Sequence, residues 1–246
     1  WNEKRIKNIK KCINFLYVIL PFEKEFFEVK HNYPVKFLGH PLVDSISNFK
    51  KNYDSSKEKI ISNKKPVIAI LPGSRKQEIK KILNTVIKIV EYFPNHQFIV
   101  AGAPNIELSY YNSSLKNKNI KVIENKTYEL LSISTAAIVT SGTATLETAL
   151  FKVPQVVCYK SSYFSYFIAK LIVKIKYISL VNLIMDQQIV KELIQQDCNK
   201  VNITNELKKI LDLNHRKSLL IKYDELTSVL GNYGTSNRVA LDIIKK

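Results

Sequence analysis

The chain has 246 residues, 46% of them hydrophobic, so it carries enough apolar material for a core and is not a disordered chain. Its formal net charge is +17, but only four of its 38 basic residues are arginine, and the lysines are spread along the whole length. That spread reads as compositional drift and not as the clustered, arginine-rich surface of a nucleic-acid binder, so nucleic acid is not expected as a partner.

Residues 3–14 read as the end of a basic helix, and 15–20 as a short buried strand. Pro21-Phe22-Glu23 then has proline and acid where a first helical turn wants them. A second short strand covers 35–38 and leads into Gly39-His40-Pro41-Leu42-Val43-Asp44. Residues 50–65 are polar, without a period, and mark a linker. From there apolar runs at 67–71, 97–101, 120–123, 136–139 and 155–158 alternate with helical patterns at 78–92, 105–115, 127–133 and 143–150. Such alternation predicts an α/β domain, Rossmann-like, with a parallel sheet. Beyond 158 the spacing predicts helices at 163–175, 187–196, 203–212, 215–230 and 235–244. No apolar run reaches 18 residues, so no membrane-spanning helix is expected.

Two strand-to-helix turns stand out. The first is Leu71-Pro72-Gly73-Ser74-Arg75-Lys76-Gln77-Glu78, where unpaired N–H groups and the positive helix end form an anion site. Arginine is scarce here, so Arg75 is informative: its planar fork grips a phosphate with two hydrogen bonds. The same residues would also serve as an ordinary βα turn with a surface arginine. The second turn is Thr140-Ser141-Gly142-Thr143-Ala144-Thr145-Leu146-Glu147. Its hydroxyls and N–H groups suit a phosphate, or Ser141 or Thr143 simply caps the helix. Glu147 shares a face with Thr143 and suits the adjacent hydroxyls of a ribose, or is the solvated partner of a capping box. Two such turns and one carboxylate suggest a nucleotide. Neither GxxxxGK[ST] nor GxGxxG occurs, which argues against P-loop NTPases and dinucleotide oxidoreductases. With no acidic pair near either turn, a metal-independent site is expected, with Arg75 and helix dipoles supplying the positive charge.

The remaining features have two readings each. Tyr163 to Lys176 is apolar and basic, suited to an anionic membrane surface or to packing on the core. His40 with Asp44 four residues on suits acid–base work or a hydrogen-bonded structural role. Cys12, Cys158 and Cys198 show no CxxC pair, and the four histidines no ligand spacing, so neither disulfide framework nor metal site is expected.

Taken together, PFEKEFFE (21–28), FLGHPLVD (37–44), LPGSRKQEI (71–79), SGTATLETAL (141–150), the run from 166 to ELIQ (192–195) and the tail 223–244 resemble the lipid-A-disaccharide synthases. These are inverting glycosyltransferases of the GT-B type. The resemblance covers essentially the whole chain, in order. It implies a transferase joining UDP-2,3-diacylglucosamine to 2,3-diacylglucosamine 1-phosphate (lipid X), giving the β-1,6-linked lipid A disaccharide and UDP. It implies a cytoplasmic enzyme, peripheral on the inner face of the bacterial inner membrane. The UDP-sugar is a substrate, so no cofactor is expected, and homo-oligomer formation is left open.

The same resemblance implies two Rossmann-like domains. Residues 1–49 would be the end of the N-terminal, acceptor-side domain, 50–65 the linker, 66–222 the UDP-sugar domain, and 223–246 helices crossing back to the N-terminal side. Gly73, Ser74 and Arg75 would hold the diphosphate, Arg75 stabilising the leaving group. Ser141, Gly142 and Thr143 would line the pocket, Glu147 would hold the ribose, and Asn182 would join them. His40, Glu192 and Gln195 are secondary candidates. Two departures weaken the match: Val181 and Lys191 stand where the family has proline. The family's N-terminal Gly-rich turn and proposed general base have no counterpart here. The resulting expectation is a chain that binds UDP but is incomplete for catalysis alone. Rival readings are another UDP-sugar GT-B enzyme, of the peptidoglycan glucosaminyltransferase or epimerase type, and a non-catalytic basic membrane or nucleic-acid adaptor.

Overall fold

The computed structural model describes residues 3, 5–54, 65–115, 120–160 and 176–245. The chain divides into two compact units, one of Trp1–Lys51 with Asp224–Lys246 and one of Asn52–Tyr223.

The larger unit is built on a six-stranded sheet. Its strands are β3 (Val67–Leu71), β4 (Gln97–Gly102), β5 (Lys121–Glu124), β6 (Ser134–Thr140), β7 (Gln155–Tyr159) and β8 (Lys191–Ile194). All pairings are parallel, in the order β5-β4-β3-β6-β7-β8. Strands covered on both faces read as unbroken apolar runs, and every residue of β3 is buried. The helices that follow them bury one stripe each. In α4 (Lys76–Val86) that stripe is Ile79, Ile82, Leu83 and Val86; in α7 (Thr143–Leu150) it includes Leu146, Ala149 and Leu150. The chain winds outward from β3 through β4 to β5, then returns to place β6 on the other side of β3. This makes β3 and β6 the strands between which the winding reverses. Crevices at such switch points, outside the carboxyl ends of the strands, are where ligands bind in this class of sheet.

The smaller unit pairs β1 (Tyr17–Val18) with β2 (Lys36–Phe37) in parallel. Its core is Ile6 of α1 (Arg5–Cys12), Val18, Phe27 and Val35. Phe27 follows α2 (Pro21–Glu25), where the helix widens over Phe26–Lys30. The Glu23 carboxylate accepts the N–H groups of Ile19 and Leu20, closing the start of α2. In the same unit Asp44 of α3 (Pro41–Asn52) caps α11 (Thr235–Ile244), which is distant in sequence. Its carboxylate accepts the N–H groups of Gly234, Thr235 and Ser236 at 2.7, 3.1 and 2.8 Å. Arg238 of α11 donates back to the carbonyls of Leu38, Asn232 and Tyr233. The long α10 (Leu213–Leu230) carries the chain from the larger unit to the smaller.

Four elements differ from the sequence reading. Of the buried strand expected at 15–20 only Tyr17–Val18 is strand, and Phe15 and Ile19 on either side of it are exposed. The helix expected at 78–92 ends at Val86, where a run of β-branched residues sets in, and only a 3₁₀ turn, Val90–Tyr92, follows. The GHPLVD turn opens a full helix, α3, with Pro41 at its first position. The helix expected at 187–196 is instead a strand, β8, paired with β7 and preceded by the short α8 (Leu180–Met185). A short apolar run fits either period, and here an open sheet edge decides it. Then α9 (Lys200–Leu211) packs Ile203, Leu207 and Ile210 inward. The expected helix 163–175 lies outside the described residues.

Candidate functional site

The turns after β3 and β6 open onto one cavity of about 460 Å³. This is within the usual range for a small-ligand site. Gly73, Ser74 and Arg75 form one lip, and Ser141, Gly142, Thr143 and Glu147 another. Ala103 and Pro104, after β4, and Tyr159, at the end of β7, complete the wall.

Each turn is held in place by bonds of its own. Gly73 has φ +93°, a conformation natural to glycine. A Cβ there would lie 3.2 Å from Glu78 Oε2 and 3.3 Å from Thr140 Cγ2. From the β4 side, Asn105 Nδ2 donates to the Ser74 carbonyl at 3.3 Å and the Tyr110 hydroxyl to that of Lys76 at 2.7 Å. Gly142 is the N-cap of α7 at φ +152° and ψ −164°, a region essentially restricted to glycine, and a Cβ there would have no atom of the described residues within 4 Å. Neither Ser141 nor Thr143 caps the helix. The Ser141 hydroxyl instead donates to the Ile178 carbonyl at 2.6 Å, and the Thr145 hydroxyl to that of Gly142 at 2.8 Å. The first N–H groups of α7 therefore face the cavity side without a capping side chain, and no acid lies in its first turn.

The α4 end is different. Glu78, in its first turn, accepts a hydrogen bond from Arg75 Nη1 at 3.0 Å, while the Arg75 side chain remains 78% exposed. The guanidinium is thus steered from one side and open to solvent elsewhere. Glu78 sits at i+3 from Arg75, a spacing at which side chains meet on a helix, and that was the signal available for it. Glu147 is half-buried and accepts the Tyr128 hydroxyl on Oε1 at 3.2 Å. Burial pushes its carboxyl up, and the Tyr128 bond pulls it back down. Tyr128, on α6 (Thr127–Ser132), has no signal linking it to Glu147 in sequence, nor has Thr140, whose buried Oγ1 beside the cavity has no hydrogen-bond partner among the described residues.

The other candidates are placed apart from the cavity wall. Asn182 is fully buried, and its side-chain amide is consumed by the loop it closes. Oδ1 accepts from Ile189 N and Val190 N, and Nδ2 donates to Val190 O and Glu192 Oε1. Glu192 accepts from Ile178 N and Ser179 N as well as the Ser179 hydroxyl. Together they fix the start of α8, and the carbonyl of Ile178, two residues before it, receives the Ser141 hydroxyl. Gln195 has φ +50°, and its N–H donates to the Tyr159 carbonyl at 2.8 Å. These three brace the wall from behind. His40 belongs to the smaller unit, where it is buried and its Nδ1 accepts the Leu42 N–H at 3.1 Å. Burial holds its imidazole below the usual value, so it is kept neutral as a helix-opening acceptor. Among the described residues no group of three or more His, Cys, Asp or Glu could hold a metal.

A lipid-A-disaccharide synthetase family model matches residues 1–237. The chain belongs to the lipid-A-disaccharide synthetase family. It is 34% identical over 245 residues to a lipid-A-disaccharide synthase of Coxiella burnetii (strain Dugway 5J108-111), covering 98% of this chain and 65% of that protein. It is also 34% identical over 260 residues to the enzyme of that name from Sulfurihydrogenibium sp. (strain YO3AOP1), covering 98% of this chain and 67% of the relative. The chain thus spans about two thirds of the length of the family members it matches. Among solved structures it is similar to a putative UDP-N-acetylglucosamine 2-epimerase from Listeria monocytogenes, at 16% identity and TM-score 0.65, over 94% of this chain and 59% of that one. It is similar as well to WaaG, a glycosyltransferase involved in lipopolysaccharide biosynthesis, at 11% identity and TM-score 0.55, over 92% and 61%. These likenesses establish the fold, that of GT-B glycosyltransferases and the related epimerases.

Proposed function

We propose that this chain carries the UDP-sugar centre of a lipid A disaccharide-forming glycosyltransferase. The donor is UDP-2,3-diacylglucosamine and the acceptor 2,3-diacylglucosamine 1-phosphate. The observation that carries the reading is the meeting of Arg75, two glycine-hinged turns and Glu147 around one cavity at the sheet's switch point, in a chain of this family. The diphosphate lies between the Gly73 and Gly142 turns, and the ribose hydroxyls donate to Glu147. The acceptor 6-hydroxyl gives its proton to a general base on the acceptor side and its oxygen attacks the anomeric carbon, while the bond to the UDP oxygen breaks and UDP leaves with the electron pair. Arg75 and the helix N-termini meet that growing negative charge, and one such donor is worth about 3 kcal/mol. The UDP-sugar is consumed as a substrate, and in this reading no separate cofactor is called for. The segment 163–176 gives the enzyme its contact with an anionic membrane surface, where both lipid substrates reside.

Isothermal titration with UDP tests the site. Arg75→Ala is expected to weaken UDP binding by about 10- to 100-fold, from the loss of charge-assisted bonds. Arg75→Lys is expected to recover only part of it, because the planar fork is gone. The melting temperature should hold in both variants, since the side chain is largely exposed. Unchanged UDP affinity in Arg75→Ala would show that the β3 turn is not the phosphate site.

A further inference from the structure

Behind the cavity wall, Tyr128 touches Glu147 and nothing in the reaction yet uses it. Thr127, its neighbour at the start of α6, lines the cavity; Tyr128 itself does not. Its hydroxyl is 3.2 Å from Glu147 Oε1, and its ring packs on Phe151, centroids 5.1 Å apart. Phe151 directly follows α7, the helix that bears Glu147. One residue therefore grips α7 through both its ring and its hydroxyl.

We propose that Tyr128 is a positioning residue that sets the protein's demand for a ribose diol, by fixing the carboxylate of Glu147 through one oxygen. The proposal rests on the reading of Glu147 as the ribose partner. A carboxylate on a half-buried helical side chain has rotational freedom about its last bond and a burial penalty on its charge. The phenol answers both. A donor on Oε1 fixes the plane of the carboxylate and leaves Oε2, and a second lone pair on Oε1, for the two sugar hydroxyls. The same bond opposes the upward push of burial on the Glu147 carboxyl, favouring the charged acceptor that a diol needs. Burial and the neighbouring carboxylate push the Tyr128 phenol up, so it stays protonated and remains a donor. A half-buried acceptor built for two hydroxyls discriminates against a ligand that lacks them, because its polar atoms are then left without those partners.

The experiment compares the affinities of this chain for UDP and for 2′,3′-dideoxyuridine 5′-diphosphate, as a ratio within each protein. Wild type is expected to prefer UDP by about tenfold or more, the worth of hydrogen bonds to a charged group. Tyr128→Phe keeps the ring and removes the donor, and is expected to cut that preference by about threefold or more while leaving dideoxy-UDP affinity nearly unchanged. Glu147→Gln should abolish the preference. Phe151→Leu loosens the packing but keeps the hydroxyl, and should keep the ratio. In protein labelled with ¹³C at the tyrosine ring carbon bearing the hydroxyl, the resonance missing from Tyr128→Phe should move with UDP and not with the dideoxy analogue. If Glu147→Gln loses the preference and Tyr128→Phe does not, the proposal is overturned and the ribose reading stands. A collapse of the ratio in Phe151→Leu as large as in Tyr128→Phe also overturns it, since packing alone would then account for the effect. If wild type shows no preference, or Glu147→Gln retains it, the ribose reading fails and takes the proposal with it.

Discussion

Two glycines separate strain from contact at the cavity. Both have backbone angles that L side chains rarely adopt, so an added Cβ costs about 1–2 kcal/mol at either. Their surroundings differ. At Gly73 the new methyl presses on Glu78 Oε2 and on Thr140, and Glu78 is the residue that steers Arg75. At Gly142 it meets no atom of the described residues within 4 Å. Gly73→Ala is therefore expected to lower the melting temperature more than Gly142→Ala does. Gly142→Ala is expected to lose more UDP affinity per degree of melting temperature lost, because its methyl projects into space that the phosphates would fill. Calorimetry and UDP titration of both variants check this, and an equal affinity loss per degree would show that only backbone strain is at work. At this scale the sequence was informative where scarcity made it so. With six glycines in the chain and four arginines, Gly73, Gly142 and Arg75 could be singled out. Asn182 could not be placed from the sequence, because a buried amide that closes a loop and one that meets a ligand look alike without a third dimension. Its four bonds all go to residues within ten positions of it.

Among the elements, α11 depends on a cap that its own sequence does not contain. Gly234 is its N-cap and offers no side chain, so the first N–H groups of the helix turn to Asp44, 190 residues earlier. Burial alone would raise the Asp44 carboxyl, but the three N–H donors outweigh it and hold the group below its ordinary value. The sign follows from that depression. The unfolded chain takes up the proton first as pH falls, so the capping contribution is complete above the ordinary carboxylate value of about 4 and is lost as pH falls through the lower, folded value. Asp44→Asn keeps one acceptor oxygen and should cost about 1–3 kcal/mol, with Asp44→Ala costing more. Urea midpoints measured from pH 6 to pH 2 should fall less steeply for Asp44→Asn than for wild type. Parallel slopes would show that Asp44 does not carry the charged cap. Elements with a continuous apolar run were legible, because doubly covered parallel strands need nothing else. Strand β8 was not, because its four residues alternate only loosely and their identity as a strand comes from the free edge of β7.

For the whole molecule, the two units have unequal means of support. The larger encloses the sheet, with fully buried Ile68, Ile70, Ile99 and Ile138 at its centre; the smaller has a cluster of four buried side chains beside a pair of two-residue strands, with Val43, Ile46, Leu226 and Leu230 also buried. Stability in such a chain is not uniform, and the unit with fewer buried apolar contacts opens at lower free energy. The described residues that line the cavity all lie between Leu71 and Tyr159, inside the larger unit. A ligand stabilises what it binds by RT ln(1 + [L]/Kd), about 2.7 kcal/mol at a hundredfold excess over Kd. Hydrogen exchange followed by mass spectrometry should therefore show two classes of amide. Those of β1, β2 and α11 should exchange faster and respond little to saturating UDP. Those of β3, β4, β6 and β7 should exchange slowest and gain further protection. Because α10 runs from one unit into the other, it should divide, with protection gained toward Leu213 and little change toward Leu230. Equal gains along all of α10 and in β1 and β2 would mean that the nucleotide is sensed by both units together, and the chain would then have to be treated as a single cooperative body.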